Sequence, residues 1–209
     1  MSKITLEPNS SGAGTFSIVS PDSNTNRTLT LPDASGNIIA ADASTGRFDS
    51  SNMPAGSVIQ VVSTTKTDTF STTSESYADV TGFSLSITPL AARNKILVLF
   101  NALISNENNS GSSFLRILRD GSPVYVGDAA GNRIQASIGL TQIGDNAYIN
   151  QAGLQFLDEP NTTSSVTYTI QMNTNNSDRP AVLGRTGNDF NGVSYARVPT
   201  SITVMEIAG

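Results

Sequence analysis

Residues Lys95–Ile104 read KILVLFNALI, and eight of the ten are apolar. Successive side chains of a strand point to opposite faces. Ile96, Val98, Phe100, Ala102 and Ile104 therefore share one face, and Leu97, Leu99 and Leu103 share the other. A strand with one wet face alternates apolar with polar residues, and this one does not. Two arrangements satisfy it. Either both faces are covered within a two-layer fold, or one face packs on a neighbouring subunit.

The flanking sequence is also β-like. Phe83, Leu85 and Ile87 alternate with Ser84, Ser86 and Thr88, and Tyr168, Ile170 and Met172 alternate with Thr167, Thr169, Gln171 and Asn173. Ile202, Val204 and Ile207 lie in a last β-prone run. Period two puts one face on a core and leaves the other to water. Thr and Ser suit the wet face, because they avoid like-charge repulsion across a sheet. Asp120-Gly121 stands between Phe114–Arg119 and Val124–Val126. Asp-Gly accepts the positive φ angles of a type I′ turn, so a hairpin is expected there. Further breaks are expected at Asn106–Ser113, Gly127–Asn132, Gly144–Asn146, Asn173–Asp178 and Gly187–Gly192. No long segment repeats apolar residues at helical spacing, and helix is limited to a turn or two near Leu90–Arg93. The expected fold is all-β, an antiparallel sandwich of jelly-roll type.

Composition narrows the chemistry. The 209 residues include no Cys, His or Trp. The usual zinc, haem and iron–sulfur ligand sets are therefore absent, as are Ser-His-Asp and Cys-His catalysis. Ser (28), Thr (23) and Asn (19) make up about a third of the chain, where an average soluble enzyme carries Lys, Glu and Leu. A net charge of -5 with three lysines argues against a nucleic-acid partner. The longest unbroken apolar run, Ile96–Phe100, is far short of the roughly 20 residues that span a bilayer, so no membrane insertion is expected. Met1–Thr5 opens no signal-peptide core, which leads us to expect synthesis and assembly in a cytoplasm.

The first part of the chain has a different character. Residues 1–52 hold short alternating pieces (Ile4 and Leu6, Phe16 and Ile18, Leu29 and Leu31, Ile38 and Ile39) between polar turns. So few large apolar side chains cannot form a core alone, and neither metal nor disulfide is available to help. We expect this segment to interleave with other copies or with a partner. Ala41–Gly56 reads as a linker, and residues 53–209 as the sandwich domain.

Several stretches resemble bacteriophage tail-fibre proteins, especially those of phages infecting cyanobacteria and other marine bacteria. Asn26–Ile38 (NRTLTLPDASGNI) resembles their N-terminal segment, and Pro54–Val62 (PAGSVIQVV) the start of their distal domain. Phe83–Pro89, Asn94–Phe100, Phe114–Gly121, Leu157–Gln171 and Ser201–Ile207 are similar to the rest of that domain. The shared motifs are strand and turn motifs, so no site residue follows from them. The resemblance implies a homotrimeric virion component assembled in the host bacterium. Residues 1–52 would attach to another tail or baseplate protein, and a distal domain would contact the host surface.

On that footing the expected activity is non-enzymatic adhesion to a host surface glycan of lipopolysaccharide type, without cofactor or metal. The candidate contacts lie in polar loops: Asn108, Asn109, Arg133, Tyr148, Asp178, Arg179, Asp189 and Phe190. Amide, carboxylate and guanidinium groups supply directed hydrogen bonds, and aromatic rings offer a flat apolar face to a sugar. Asn173–Gly192 is expected to be the main receptor loop. Other readings compete. Asp178, Asn188, Asp189 and Asn191 carry hard oxygen ligands suited to Ca²⁺ but match no EF-hand spacing. Asp158-Glu159 could serve a glycan depolymerase, which needs two apposed carboxyls, but it precedes Pro160 and reads as a solvated turn. A baseplate or tail adaptor without receptor contact is the remaining alternative.

Overall fold

The computed structural model describes residues 11–15, 24–26, 28, 53–108, 110–144 and 147–209. The chain divides into two units, Met1–Ile38 and Ile39–Gly209, and every strand below belongs to the second. The expectation of an interleaved segment over residues 1–52 falls almost wholly outside the described residues.

The described residues of the second unit are all-β. Its strands are β1 (Val58–Lys66), β2 (Phe70–Thr72), β3 (Ala78–Ile87), β4 (Lys95–Asn106), β5 (Ser110–Arg119) and β6 (Ser122–Val124). They continue with β7 (Ile138–Ile143), β8 (Asn150–Asp158), β9 (Val166–Thr174), β10 (Ala181–Leu183) and β11 (Thr200–Ile207). No helix occurs among the described residues, and Leu90–Arg93 forms a turn closed by Asn94 N–H donating to Ala91 O at 3.1 Å. Every pairing is antiparallel, in two sheets. In the first, β8 runs along one edge of β4, and β11 followed by β10 along the other; β1 pairs with β11 and β2 with β10. In the second the order is β3-β9-β5, with β6 and β7 sharing the far edge of β5.

The two sheets face each other across one core. Ile96, Val98, Phe100, Ala102 and Ile104 of β4 line it together with Leu115 and Ile117 of β5 and Tyr168, Ile170 and Met172 of β9. Each of the Val, Leu, Ile, Phe and Met side chains, taken from water, contributes about 1.5–3 kcal/mol. Period two is kept from Val166 to Met172 in β9, beyond which Asn173 and Thr174 are also buried, and in the second half of β3, where Phe83, Leu85 and Ile87 are buried and Ser84 and Ser86 exposed. A bulge interrupts β3 between Asp79 and Ser84. Gly82 takes φ +70° there, which a residue with a Cβ rarely adopts, and Lys66 Nζ donates to Thr81 O at 2.9 Å.

Asp120 and Gly121 have φ of 48° and 80°, the two positive angles expected of the hairpin between β5 and β6. Three expectations need correction. The break at Asn106–Ser113 is shorter, because β4 extends to Asn106 and β5 begins at Ser110. Asn173–Gly192 is not one loop: Ala181–Leu183 forms β10, wholly buried between β4 and β2, so two separate loops flank a core strand. Asp158 is not a solvated turn residue either; it ends β8 and is buried.

The doubly apolar strand has one face in the core. Its other face, with Leu97, Leu99 and Leu103 half-buried, lies on the outer side of the first sheet.

Candidate functional site

Strand direction places several loops at one end of the two sheets. β4 ends at Asn106 opposite Ala181, where β10 begins; β5 begins at Ser110 opposite Ile143, where β7 ends; and β8 begins at Asn150 opposite Ile104. The β4–β5, β7–β8 and β9–β10 loops therefore share this end.

Short polar side chains lock the first and third of these together. Asn108, with φ 63°, donates through Nδ2 to Asp178 O at 2.6 Å, and Glu107 N–H donates to Pro180 O at 3.0 Å. The Arg179 guanidinium donates to Ser110 Oγ. Buried Thr174 donates to Arg179 O at 2.7 Å, while Asn176 Oδ1 accepts from Asp178 N–H at 2.9 Å. Such Asx and Thr bonds replace the ladder where the chain turns.

Arg185 ties in the β10–β11 loop. It is buried, donates to Glu107 Oε1 at 2.7 Å and to Thr186 O at 2.9 Å, and also reaches Gly187 O. Beyond this root the loop is exposed. Arg197 clamps Asp189 through Nε and a terminal nitrogen, and the Nε bond measures 3.0 Å. That pairing holds the Asp189 carboxyl below the usual carboxylate range. Phe190 and Tyr195 meet edge to face, their ring centroids 5.4 Å apart, and Phe190 is 64% exposed. With Asn191, Gly192 and Ala196 these residues line a cleft of about 310 Å³.

The structure thus bonds Asn108 to Asp178 and Arg179 to Ser110, and sets Asp189 and Phe190 further along the loop rooted by Arg185. Tyr148 lies in the β7–β8 loop and is 59% exposed. Arg133 is not part of this cluster: it sits in the β6–β7 loop and donates to Ala130 O of its own turn. Asn109 is outside the described residues. Tyr195 and Arg197 were missed from sequence. Their only signal was an aromatic and a basic residue following a Gly-rich stretch.

The other readings find these surroundings. Asp158 accepts from Arg119 at 2.6 Å and from the Tyr168 hydroxyl at 2.7 Å, and Glu159 pairs with Lys95 at 2.6 Å. Asp178 and Asp189 stand in different loops. Among the described residues no three carboxylate side chains gather in a metal-binding cluster.

A second cleft, of about 690 Å³, is lined by residues of β4, β8 and β11 together with Tyr125 and Ser137. Leu99 and Asn101 of β4, Gly153 and Gln155 of β8, and Ser201 and Thr203 of β11 share the outer face of the first sheet by register.

No family model matches the chain, and no curated protein matches it. Two solved structures bear a weak likeness to it. The structure of infectious bursal disease virus Gt strain is 13% identical with a TM-score of 0.31, over 86% of this chain and 45% of that one. The crystal structure of the infectious bursal disease virus VP2 subviral particle is 15% identical with a TM-score of 0.27, over 72% and 38%. The chain spans less than half the length of either. A likeness at this level says nothing of what the chain does.

Proposed function

We propose that this chain is a non-enzymatic adhesive component of a bacteriophage tail fibre. It forms a homotrimer of jelly-roll-like sandwiches and adheres to a host surface glycan through the loops at one end. The observation that carries this reading is the preorganised loop end. Asn108–Asp178, Arg179–Ser110 and Arg185–Glu107 fix three loops to one another. The Phe190–Tyr195 pair and the Asp189–Arg197 clamp stand exposed in the β10–β11 loop, which Arg185 ties to Glu107. Preorganised loops lose little entropy on binding, and aromatic and Arg groups carry most contact energy in such surfaces. Trimerisation adds avidity, which raises weak single-site binding by roughly 10²–10⁴ where geometry permits.

The homotrimer is supported by the outer face of the first sheet. Val61, Met205, Leu97 and Leu157 lie opposite one another in register across β1, β11, β4 and β8. Val61 is 54% and Leu157 49% exposed, so four strands present an unbroken apolar row. Rows of this kind mark surfaces that pack on another protein.

The test uses point variants, since deleting Asn173–Gly192 would remove β10 from the sheet. Phe190→Ala and Arg197→Ala should each reduce adsorption to host cells at least about tenfold with the circular dichroism unchanged. Adsorption equal to the parent in both would overturn the assignment to this end. Labelling the protein on intact particles separates the adaptor reading: a proximal, covered position would favour it.

A further inference from the structure

The β10–β11 loop has a fixed neck and an open tip. Arg185 and Arg197 form an antiparallel bridge across the neck. Thr186 N–H donates to Ala196 O at 3.1 Å there, and Val198 N–H to Gly184 O at 2.8 Å. Beyond the neck Asn191, Gly192, Val193 and Ser194 are all exposed. Asn191-Gly192 is the one Asn-Gly pair in the sequence. Asparagine is thermolabile, because its amide carbon can be attacked by the backbone nitrogen of the next residue. The attack needs an amide free to turn, a following residue that does not crowd its own nitrogen, and access to water.

Asn191 meets all three needs. Among the described residues its side chain takes no hydrogen bond, and the glycine after it has no Cβ. Comparable asparagines differ. Asn176 Oδ1 holds Asp178 N–H at 2.9 Å, and the Ser177 nitrogen that would attack it donates to Glu75 Oε1 at 3.0 Å. Asn175 Oδ1 holds Ser112 N–H at 2.7 Å. Asn161 Nδ2 donates to Glu159 O at 3.0 Å, and β-branched Thr162 follows it. Asn188 is half-buried and precedes Asp189. At Asn191 the restraint is the bond from Gly192 N–H to Phe190 O at 3.0 Å, which closes a three-residue turn. A turn bond at an exposed tip opens at far less than the cost of global unfolding.

We infer that Asn191 is a site of spontaneous deamidation, with water as the reactant. The Gly192 nitrogen, its proton lost to hydroxide, bonds to Asn191 Cγ. The Cγ–Nδ2 bond breaks, ammonia leaves with a proton returned from water, and a succinimide remains. Water opens that ring at either carbonyl to give aspartate or isoaspartate. Either product adds one negative charge to the cleft, where Asp189 and Arg197 balance. Isoaspartate also inserts a methylene carbon into the backbone between Phe190 and Tyr195. The reaction depends on the loop alone and stands whether or not the loop contacts a receptor.

Ageing the full chain for weeks at pH 7 and at pH 9 tests it. Trypsin then releases Thr186–Arg197, tandem mass spectrometry places the change, and the same peptide made synthetically supplies the free rate. Asn191 should change first among Asn161, Asn175, Asn176, Asn188 and Asn191, and faster at pH 9. Its rate in the protein should exceed about a hundredth of the free-peptide rate. Gly192→Ala should slow it at least about tenfold. A Cβ at Gly192 would meet the Tyr195 ring at 3.4 and 3.6 Å, ordinary contact distances, so that variant keeps the loop. Another of these asparagines changing first, a slower rate than that threshold, or equal rates in the parent and Gly192→Ala would overturn the proposal.

Discussion

Leu97 of β4 stands directly opposite Leu157 of β8 on the side of the first sheet turned away from the core. Both side chains meet solvent, and Met205 and Val61 extend the contact across β11 and β1. The proposed trimer places this row at its seam. Leu157→Lys should therefore yield a monomer by sedimentation equilibrium, while its melting temperature as a folded unit stays within a few degrees, since exposed substitutions change stability by about 0.5 kcal/mol or less. A parent protein that is monomeric at micromolar concentration removes the seam altogether.

Asp158 and Tyr168 make the second prediction. Tyr168 is fully buried, and burial with the adjacent Asp158 carboxylate pushes its hydroxyl far above the ordinary value near 10. Tyr77 is shifted the same way by burial. A group whose pKa is raised on folding lends stability that is complete below its unfolded pKa. That stability declines as pH climbs from there toward the folded value. Stability should thus be flat to about pH 9 and then fall by up to about 1.4 kcal/mol per pH unit from Tyr168. Tyr168→Phe should cost about 1–3 kcal/mol at neutral pH by leaving Asp158 one donor short, and should flatten the alkaline slope. Urea titrations at pH 7, 9 and 11 read both.

Much of the fold could be read from periodicity, because a strand records its buried face in every second residue. Phe83–Ile87, Tyr168–Met172 and the Asp120-Gly121 turn are examples. What escaped depends on contacts distant in sequence. Ala181–Leu183 is too short to show a period, and it is a strand only because Ile104–Asn106 and Phe70–Thr72 flank it. Asp158 looks solvated beside Glu159 and Pro160 until Arg119 and Tyr168 arrive from β5 and β9. The last strand breaks the composition rule as well: Glu206 takes the inward parity with Ile202 and Val204, and Ile207 turns outward. At the site, the loops were visible as polar breaks, but the partners that join them, Glu107 for Arg185 and Asp178 for Asn108, were not.

The Asp189–Arg197 clamp predicts an acid limit. Arg197 depresses the Asp189 pKa, so the order it gives the loop holds above the ordinary carboxylate range and is lost as pH falls through the depressed value. Adsorption should be equal at pH 8 and pH 5 and decline only below about pH 4. Asp189→Asn should show at pH 7 the weakened adsorption that the parent shows in acid. A decline of the parent between pH 7 and 5 would assign recognition to other groups.

Glu206 offers the sharpest stability test. It is fully buried, and none of the ion pairs among the described residues includes it. Three uncharged donors hydrogen-bond it instead: Leu90 N–H at 2.7 Å, Asn94 Nδ2 at 2.6 Å and Gln60 Nε2 at 2.6 Å. Glu206→Ala takes the acceptor from all three, leaves the buried Asn94 amide unpaired, and should cost about 2–3 kcal/mol. Glu206→Gln keeps one acceptor but turns an amide N–H₂ toward Gln60. Gln60 cannot flip to accept without giving up its 2.8 Å bond to Thr88 O, so the cost should be smaller, about 1–2 kcal/mol. The order parent, Gln, Ala in urea midpoint follows from donor count alone. A Glu206→Ala protein as stable as the parent would mean that water reaches these donors and that this end of the core is not closed.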